Sequence, residues 1–309
     1  MKTILTILIS VGFSLAFAQN GGLPVIDMHI NAYDDQHFFV SKDVYGKKSP
    51  ANATDHFGAT YSTMQDLNVV KGVVANETNA INMHRRSDKD GRIIWGTGMV
   101  FPKVTDIKTF ERKIQTGEIN LMGEMPPLYH KYSVNHPDFA PYLELCEKYD
   151  VPVAIHLGTE RMNAQYSGLK DARLAETTVG KLGALLKEHP SLKVHLVHSG
   201  EVYTYYHELI ALMAKNENVY VSMGGVLWTH PTVREYSGEF LKLAKEEKVL
   251  DQVMFGSGQG YFPHGITFSV NFLNKFAFLT KEEKRDIFYN NAARFLDLEE
   301  ENFVAVNNR

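Results

Sequence analysis

The 309-residue sequence predicts a single α/β domain folded as a closed (β/α)8 TIM barrel. Eight short apolar segments have the length and residue types of buried strands, and amphipathic helical segments lie between them. The alternation extends over about 250 residues, the usual length of such a barrel. An open sheet with a dinucleotide site is the alternative, but no G-x-G-x-x-G motif follows the first strand.

The predicted strands cover residues 23–30, 69–75, 93–100, 119–124, 151–157, 193–198, 219–223 and 252–256. Apolar residues at helical spacing predict helices over 58–67, 139–149, 173–188, 234–248, 281–289 and 291–296. Thr280 and Glu283 form the capping-box pattern at the start of the helix over 281–289. The longest connection, residues 32–68, is expected to cover one end of the barrel as a surface insertion.

The first eighteen residues differ in composition from the rest of the chain. Lys2 is the only charged residue before an apolar run from Ile4 to Phe17, and Ala16-Phe17-Ala18 matches a small-x-small cleavage site. We expect residues 1–18 to be a bacterial signal peptide and residues 19–309 to form an exported, periplasmic or secreted, barrel domain. The alternative is a membrane anchor, for which the run is short, because a span needs about 20 residues.

Composition excludes several classes of partner. The formal charge of −4 gives no basic excess, so nucleic acid is not an expected partner. After signal cleavage no membrane contact is expected, and a small-molecule substrate is the predicted partner. The single cysteine, Cys146, cannot form an internal disulfide and is expected to be a buried structural thiol. The sequence leaves the oligomeric state open, including a homo-oligomer.

Polar side chains stand at the carboxyl ends of four predicted strands. His29 and Asn31 end the first strand, Glu124 the fourth, His156 the fifth and His198 the sixth. Catalytic groups of (β/α)8 barrels come from this rim, so we expect these side chains to lie together. A single histidine at a strand end is more often a hydrogen-bonded core residue. Three histidines at one rim favour a metal site or an acid/base site.

Strand alternation gives further expectations. Asp27, His29 and Asn31 have the same parity and are expected to share one face. Asp27 is expected to orient His29 or cap the strand rather than bind a metal. His195 has the opposite parity to His198, so we expect its side chain to face the helices.

The segments "IDMHIN", "AIHLG", "LVHSG", "MFGSG" and "NNAARFL" resemble the amidohydrolase-related family of the amidohydrolase superfamily, in order and at the expected strands. The resemblance implies a divalent metal, usually zinc, that activates water or polarises a carbonyl group. It implies metal ligands from an H-x-H pair on the first strand, a histidine on the fifth and an aspartate on the eighth. A sixth-strand histidine then acts as a further ligand or as the acid/base.

The residues match this pattern only in part. His29, His156 and His198 stand at the three histidine positions, but Asn31 replaces the second histidine of the first strand and Gly258 replaces the aspartate. The resemblance therefore implies a metal held by His29, Asn31 and His156, with His198 catalytic. An asparagine oxygen is a weak neutral ligand, and glycine provides none.

Glu124 is the predicted replacement for the missing aspartate, either as a base or as a ligand. Four side chains on loops after the strands are candidate substrate contacts. Arg161 can hold a carboxylate with two hydrogen bonds, although a solvated loop arginine explains it equally well. Tyr33 and Trp228, with Tyr261, are expected to line an apolar or ring-binding pocket.

The sequence thus predicts a metal-dependent hydrolase of a small amide, ester or lactone. Some relatives decarboxylate small aromatic or unsaturated acids instead, and the sequence does not distinguish hydrolysis from decarboxylation. A degenerate, non-catalytic barrel that binds a ligand is an alternative, supported by Asn31 and Gly258. A metal-independent hydrolase is a third, because a lactone-cleaving relative dispenses with metal.

Overall fold

The structure, a computed structural model, describes residues 23–75, 78–97, 105–126, 132–157, 172–201 and 206–298. The predicted signal peptide, residues 1–18, and Arg161 lie outside these residues.

Eight parallel strands alternate with helices, as the sequence predicts. The strands are β1 (Val25–Asp27), β2 (Val69–Val74), β3 (Ile93–Trp95), β4 (Met122–Met125), β5 (Val153–Ile155), β6 (Val194–Leu196), β7 (Val219–Ser222) and β8 (Val253–Met254). Each overlaps a predicted segment and is shorter than predicted, and the chain leaves the regular ladder before His29, His156 and His198.

Backbone hydrogen bonds join the strands into a ring. β1 to β3 pair in sequence order, as do β4 to β8. Between β3 and β4, the Thr97 amide donates to the Leu121 carbonyl over 3.0 Å, and the Gly123 amide donates to the Thr97 carbonyl over 2.8 Å. Between β8 and β1, the Met28 amide donates to the Phe255 carbonyl over 3.0 Å. The fold is therefore a (β/α)8 TIM barrel.

The helices lie between successive strands and after the last one. They are α1 (Ala53–Asp66), α2 (Thr78–His84), α3 (Ile107–Gln115), α4 (Ala140–Lys148), α5 (Ala172–Glu188), α6 (Tyr206–Met213), α7 (Pro231–Glu246), α8 (His264–Asn274), α9 (Lys281–Arg285) and α10 (Asn291–Phe295). The predicted capping box of Thr280 and Glu283 is present at α9, and a π-helical turn, Asp286–Asn290, joins α9 to α10. Within the described ranges, no helix is both long and apolar enough to cross a membrane.

Alternate strand residues build two apolar layers. Val153 and Ile155 of β5 belong to the layer between strands and helices, where Cys146 is also buried, as predicted. Ala154 belongs to the layer inside the barrel, together with Phe295 of α10. Residues of one strand therefore point alternately to the helices and to the barrel interior.

The prediction that His195 faces the helices is wrong. Its neighbours Val194 and Leu196 belong to the outer layer, whereas His195 lines a cavity inside the barrel together with Val197. β6 ends at Leu196, and the chain continues as a 3-10 turn in which His198 has a positive φ of 55°. Because this turn breaks the alternation, His195 and His198 both face the interior.

The insertion after β1 is anchored to the barrel by a buried histidine of α1. The Nε2 atom of His56 donates to the Gly260 carbonyl over 2.8 Å. Its Nδ1 atom is buried and has no hydrogen-bond partner among the residues that the structure describes. Burial lowers the pKa of His56 from 6.5 to about 4.

This pKa predicts a loss of stability in mild acid. Below about pH 6.5 the unfolded chain binds a proton at position 56 that the folded chain does not bind. Between pH 7 and pH 5, we expect the free energy of unfolding to fall by about 2 kcal/mol more in the wild type than in His56→Gln. Urea denaturation of metal-free protein at several pH values measures the difference. The exposed His207→Gln is the control, and equal pH dependence in wild type and His56→Gln would contradict the assignment.

Candidate active site

A carboxylate from β4 lies between three histidines that follow three other strands. Glu124 Oε1 is 2.6 Å from His156 Nδ1 and 3.9 Å from His198 Nε2, and Glu124 Oε2 is 3.4 Å from His29 Nε2. The Glu124 side chain is 18% exposed, and the histidines are 4–7% exposed. The structure thus brings four of the predicted site residues together at the carboxyl ends of the strands.

The histidines keep Glu124 ionised. Burial alone would raise the pKa of this carboxyl group, but the charge of His29 and the hydrogen bonds from His156 and His29 outweigh it. The net result is a pKa well below the usual value. The site therefore contains a fixed, partly buried negative charge among imidazoles.

Gly224, in the loop after β7, positions two of the histidines. The Nδ1 atom of His198 lies 2.7 Å from the Gly224 carbonyl oxygen, which can only accept a hydrogen bond, so this nitrogen carries the proton. In the neutral ring the Nε2 atom, which faces Glu124, is then the acceptor nitrogen. A Cβ at position 224 would lie 2.7 Å from His29 Nδ1. The Gly224 backbone thus lies against both His29 and His198.

Asp27 connects the ends of β1 and β8. Its Oδ1 atom accepts from the His29 amide over 3.0 Å and from the Ser257 amide over 2.8 Å. Burial raises the pKa of this carboxyl group to about 6. These contacts fix the backbone at His29, and the prediction that Asp27 orients His29 or caps the strand rather than binding a metal stays a prediction.

Asn31 is hydrogen-bonded to the loop after β8. Its Oδ1 atom accepts from the Gly260 amide over 3.0 Å, and its backbone amide and carbonyl pair with the buried Gln259 side chain. One acceptor position of the Asn31 oxygen is therefore already used, and its predicted role as a metal ligand stays a prediction. Gln259, directly after the "FGSG" segment, has a structural role that the sequence analysis missed.

Gly258, where the resemblance implies an aspartate, has no room for a side chain. Its φ is 53°, and a Cβ would lie 2.5 Å from the Gly225 amide nitrogen. The Gly258 amide also donates to the His29 carbonyl over 2.9 Å. The loop after β7 has thus closed over the space beside this position.

His29, Glu124 and His198 form a group of candidate metal ligands among the described residues. One donor atom of each lies within 4.8 Å of the others. The sequence analysis predicted His156 as a metal ligand and His198 as a catalytic residue. In the structure, His198 belongs to the group of candidate ligands, and His156 is hydrogen-bonded to the Glu124 carboxylate. Both assignments of role stay predictions.

The predicted substrate contacts Tyr33 and Trp228 differ in how far they are buried. Tyr33 is half-buried and stacks on Tyr261 with ring centroids 4.4 Å apart, beside the rim. Trp228 is only 4% exposed, and its indole N–H donates to the Ser257 carbonyl over 3.0 Å, so its visible contact is structural. Substrate contact by either residue stays a prediction, and Arg161 lies outside the described residues.

Comparison with known proteins extends this description. A sequence profile of the amidohydrolase family matches residues 26–298. No curated protein sequence matches the chain. The fold is similar to that of a probable 2-pyrone-4,6-dicarboxylic acid hydrolase from Acinetobacter baumannii, solved with citric acid bound, at a TM-score of 0.64 and 16% identity over 89% of this chain and 100% of that one.

Two decarboxylases also have this fold. The 5-carboxyvanillate decarboxylase of Sphingomonas paucimobilis matches with a TM-score of 0.59 and 15% identity, over 90% of this chain and 100% of that one. A dihydroxybenzoic acid decarboxylase from a Polaromonas species, solved with manganese and the inhibitor 2-nitroresorcinol, matches with a TM-score of 0.54 and 14% identity, over 79% and 87%.

At these identities the structural neighbours show the fold, and the family assignment rests on the profile. That profile spans the barrel from β1 to the end of the described chain. The chain belongs to the amidohydrolase family and is an enzyme of the amidohydrolase superfamily.

Proposed function

We propose that the protein is a divalent-metal-dependent hydrolase of a small amide, ester or lactone, with the metal held by His29, Glu124 and His198. The observation that carries the proposal is the convergence of these three side chains within 4.8 Å. The predicted signal peptide would place the reaction in the periplasm or outside the cell.

The donor set fits such a metal. Two imidazole nitrogens and one carboxylate oxygen suit zinc or manganese and leave a position open, as in catalytic zinc sites. The hydrogen bond from His198 to Gly224 supports the fit, because metal-ligating histidines usually donate their other N–H to a carbonyl or carboxylate. When bound, the metal would activate water or polarise the substrate carbonyl.

His156 is the proposed acid/base. Its Nδ1 atom lies 2.6 Å from an ionised carboxylate oxygen, which can only accept, so Nδ1 carries the proton. In the neutral ring the Nε2 atom is then basic, and it can take a proton from the attacking water and return it to the leaving group. Glu124 would hold this ring in one orientation and stabilise the imidazolium that forms, as a carboxylate does in a catalytic triad.

Decarboxylation of a small aromatic or unsaturated acid is the second candidate, favoured by the two decarboxylases of the same fold. A substrate that carries a carboxylate group suits both candidate reactions. The two decarboxylases act on carboxylic acids, and the similar hydrolase is named for a dicarboxylic acid. Arg161 is the proposed carboxylate contact. Assays for released carbon dioxide and for ring opening or ester cleavage separate the two reactions.

The first prediction concerns Glu124. We expect the mature protein to hold about one zinc or manganese ion per chain, and Glu124→Gln to lose most of it because a neutral amide is a weaker ligand. Turnover should fall by at least about 100-fold. Metal analysis of dialysed protein beside kinetics measures both, with the exposed Glu239→Gln as the control. Unchanged metal content and turnover in Glu124→Gln would exclude the proposed site.

A second prediction separates the two remaining histidine roles. His198→Gln should lose the metal, whereas His156→Gln should keep it and lower kcat by roughly 100-fold to 10,000-fold, as loss of a general base does. Metal content and kcat of the two variants are measured in parallel. If His156→Gln loses the metal and His198→Gln keeps it, the ligand set implied by the family resemblance is the better one.

A third prediction concerns Gly258→Asp, which restores the residue that the resemblance implies. We expect lower stability and no gain in metal affinity, because the new Cβ would lie 2.5 Å from the Gly225 amide. Gly260→Asp is the matched control, since Gly260 has the same φ of 53° with nothing within 4 Å of its Cβ position. Thermal unfolding and metal titration compare them, and tighter metal binding by Gly258→Asp would show that the loop can open.

A further inference from the structure

A fourth histidine lies inside the barrel below the site. His195, on β6, is 1% exposed, and both of its ring nitrogens are buried without a hydrogen-bond partner in the described part of the chain. Burial lowers the pKa of this ring to about 3, so the imidazole is neutral, with one donor and one acceptor. Buried polar atoms are nearly always paired, so this side chain needs an explanation.

Packing does not explain it. The barrel interior around this level is apolar, with Val73, Ala154 and Met254 in the same layer and the Phe295 ring 6.1 Å away. A leucine of similar volume would fill such a position without leaving polar atoms unpaired. The imidazole is therefore unfavourable for stability unless something binds to it.

The space next to His195 is partly polar. A cavity there is lined by His195, His29, Asn31 and Glu124, and the rest of its lining is apolar. It offers ≈ 10 Å³ to the centre of a water molecule, which corresponds to about one water. A buried water also needs between about two and four polar partners, and this lining provides them.

We propose that this cavity is a binding site for a single water molecule that connects His195 to Glu124. The water accepts the N–H of His195 and donates to the Glu124 carboxylate, which can only accept. His195 is then a positioning residue, and it acts on the metal through the orientation of Glu124. The water site itself does not depend on the proposed function, but the effect on the metal rests on it.

A crystal structure of the mature wild-type protein, without metal and with zinc, tests the water site. We expect density for one water within hydrogen-bond distance of a His195 ring nitrogen and of a Glu124 oxygen. An empty cavity in both structures would overturn the proposal. Since the metal-free crystal reports on the water alone, a failure of the proposed function would not obscure this result.

Zinc titrations of His195 variants test the positioning role. We expect His195→Leu to weaken zinc binding by about 10-fold to 100-fold, the usual effect of losing a partner that orients a ligand. Its metal-free Tm should equal or exceed that of the wild type, because the ring nitrogen that the water leaves unpaired is removed. His195→Gln, which keeps a donor and an acceptor, should recover most of the affinity and remains informative if His195→Leu does not fold.

Met254→Leu is the control for repacking the same layer. It should change Tm but not the zinc affinity. Equal zinc affinity in wild type and His195→Leu would overturn the positioning role, whatever the crystal contains. If the wild type binds no zinc at all, the proposed metal site and the positioning role are both wrong. The water site is then decided by the metal-free crystal structure alone.

Discussion

The ionised carboxylate of Glu124 is the interaction on which the arrangement of the site depends. It approaches His29, His156 and His198 together, and its charge fixes which nitrogen of His156 carries a proton. A neutral residue at this position would leave three buried imidazoles facing one another with no charge to orient them. The favourable attraction between this anion and the rings outweighs its desolvation, which is why a carboxylate with low pKa persists in a mostly apolar barrel.

Much of the fold and part of the site are predictable from the sequence. Each strand is a short apolar run followed by polar residues, so the eight strands and the positions of His29, His156 and His198 follow from pattern alone. The orientation of His195 does not follow, because it depends on a positive φ at His198 that ends the alternation. The role of Asn31 also depends on a distant partner, the Gly260 amide, and no local pattern predicts that pairing.

Asn31 and Gly258, which depart from the family pattern, both lie where the segment after β8 packs against its neighbours. Asn31 pairs with Gln259 and Gly260 after β8, while Gly258 allows that segment to lie against the loop after β7. Asn31 and Gly258, the two positions that depart from the pattern, therefore both take part in the backbone packing between the ends of β1, β7 and β8. Glu124, from β4, provides a negative charge beside the histidines, and its replacement of an eighth-strand aspartate stays a prediction.

Gly224 contributes no side chain to the reaction, yet two of the proposed ligands depend on it: its carbonyl oxygen accepts from His198, and its missing Cβ makes room for His29. A metal ligand can be replaced by another donor, as the resemblance implies for Asn31 on the first strand. Position 224 has no such freedom, because any side chain there would clash with the His29 ring. We therefore expect the metal ligands of this barrel to tolerate change more readily than Gly224, although Gly224 takes no part in the chemistry.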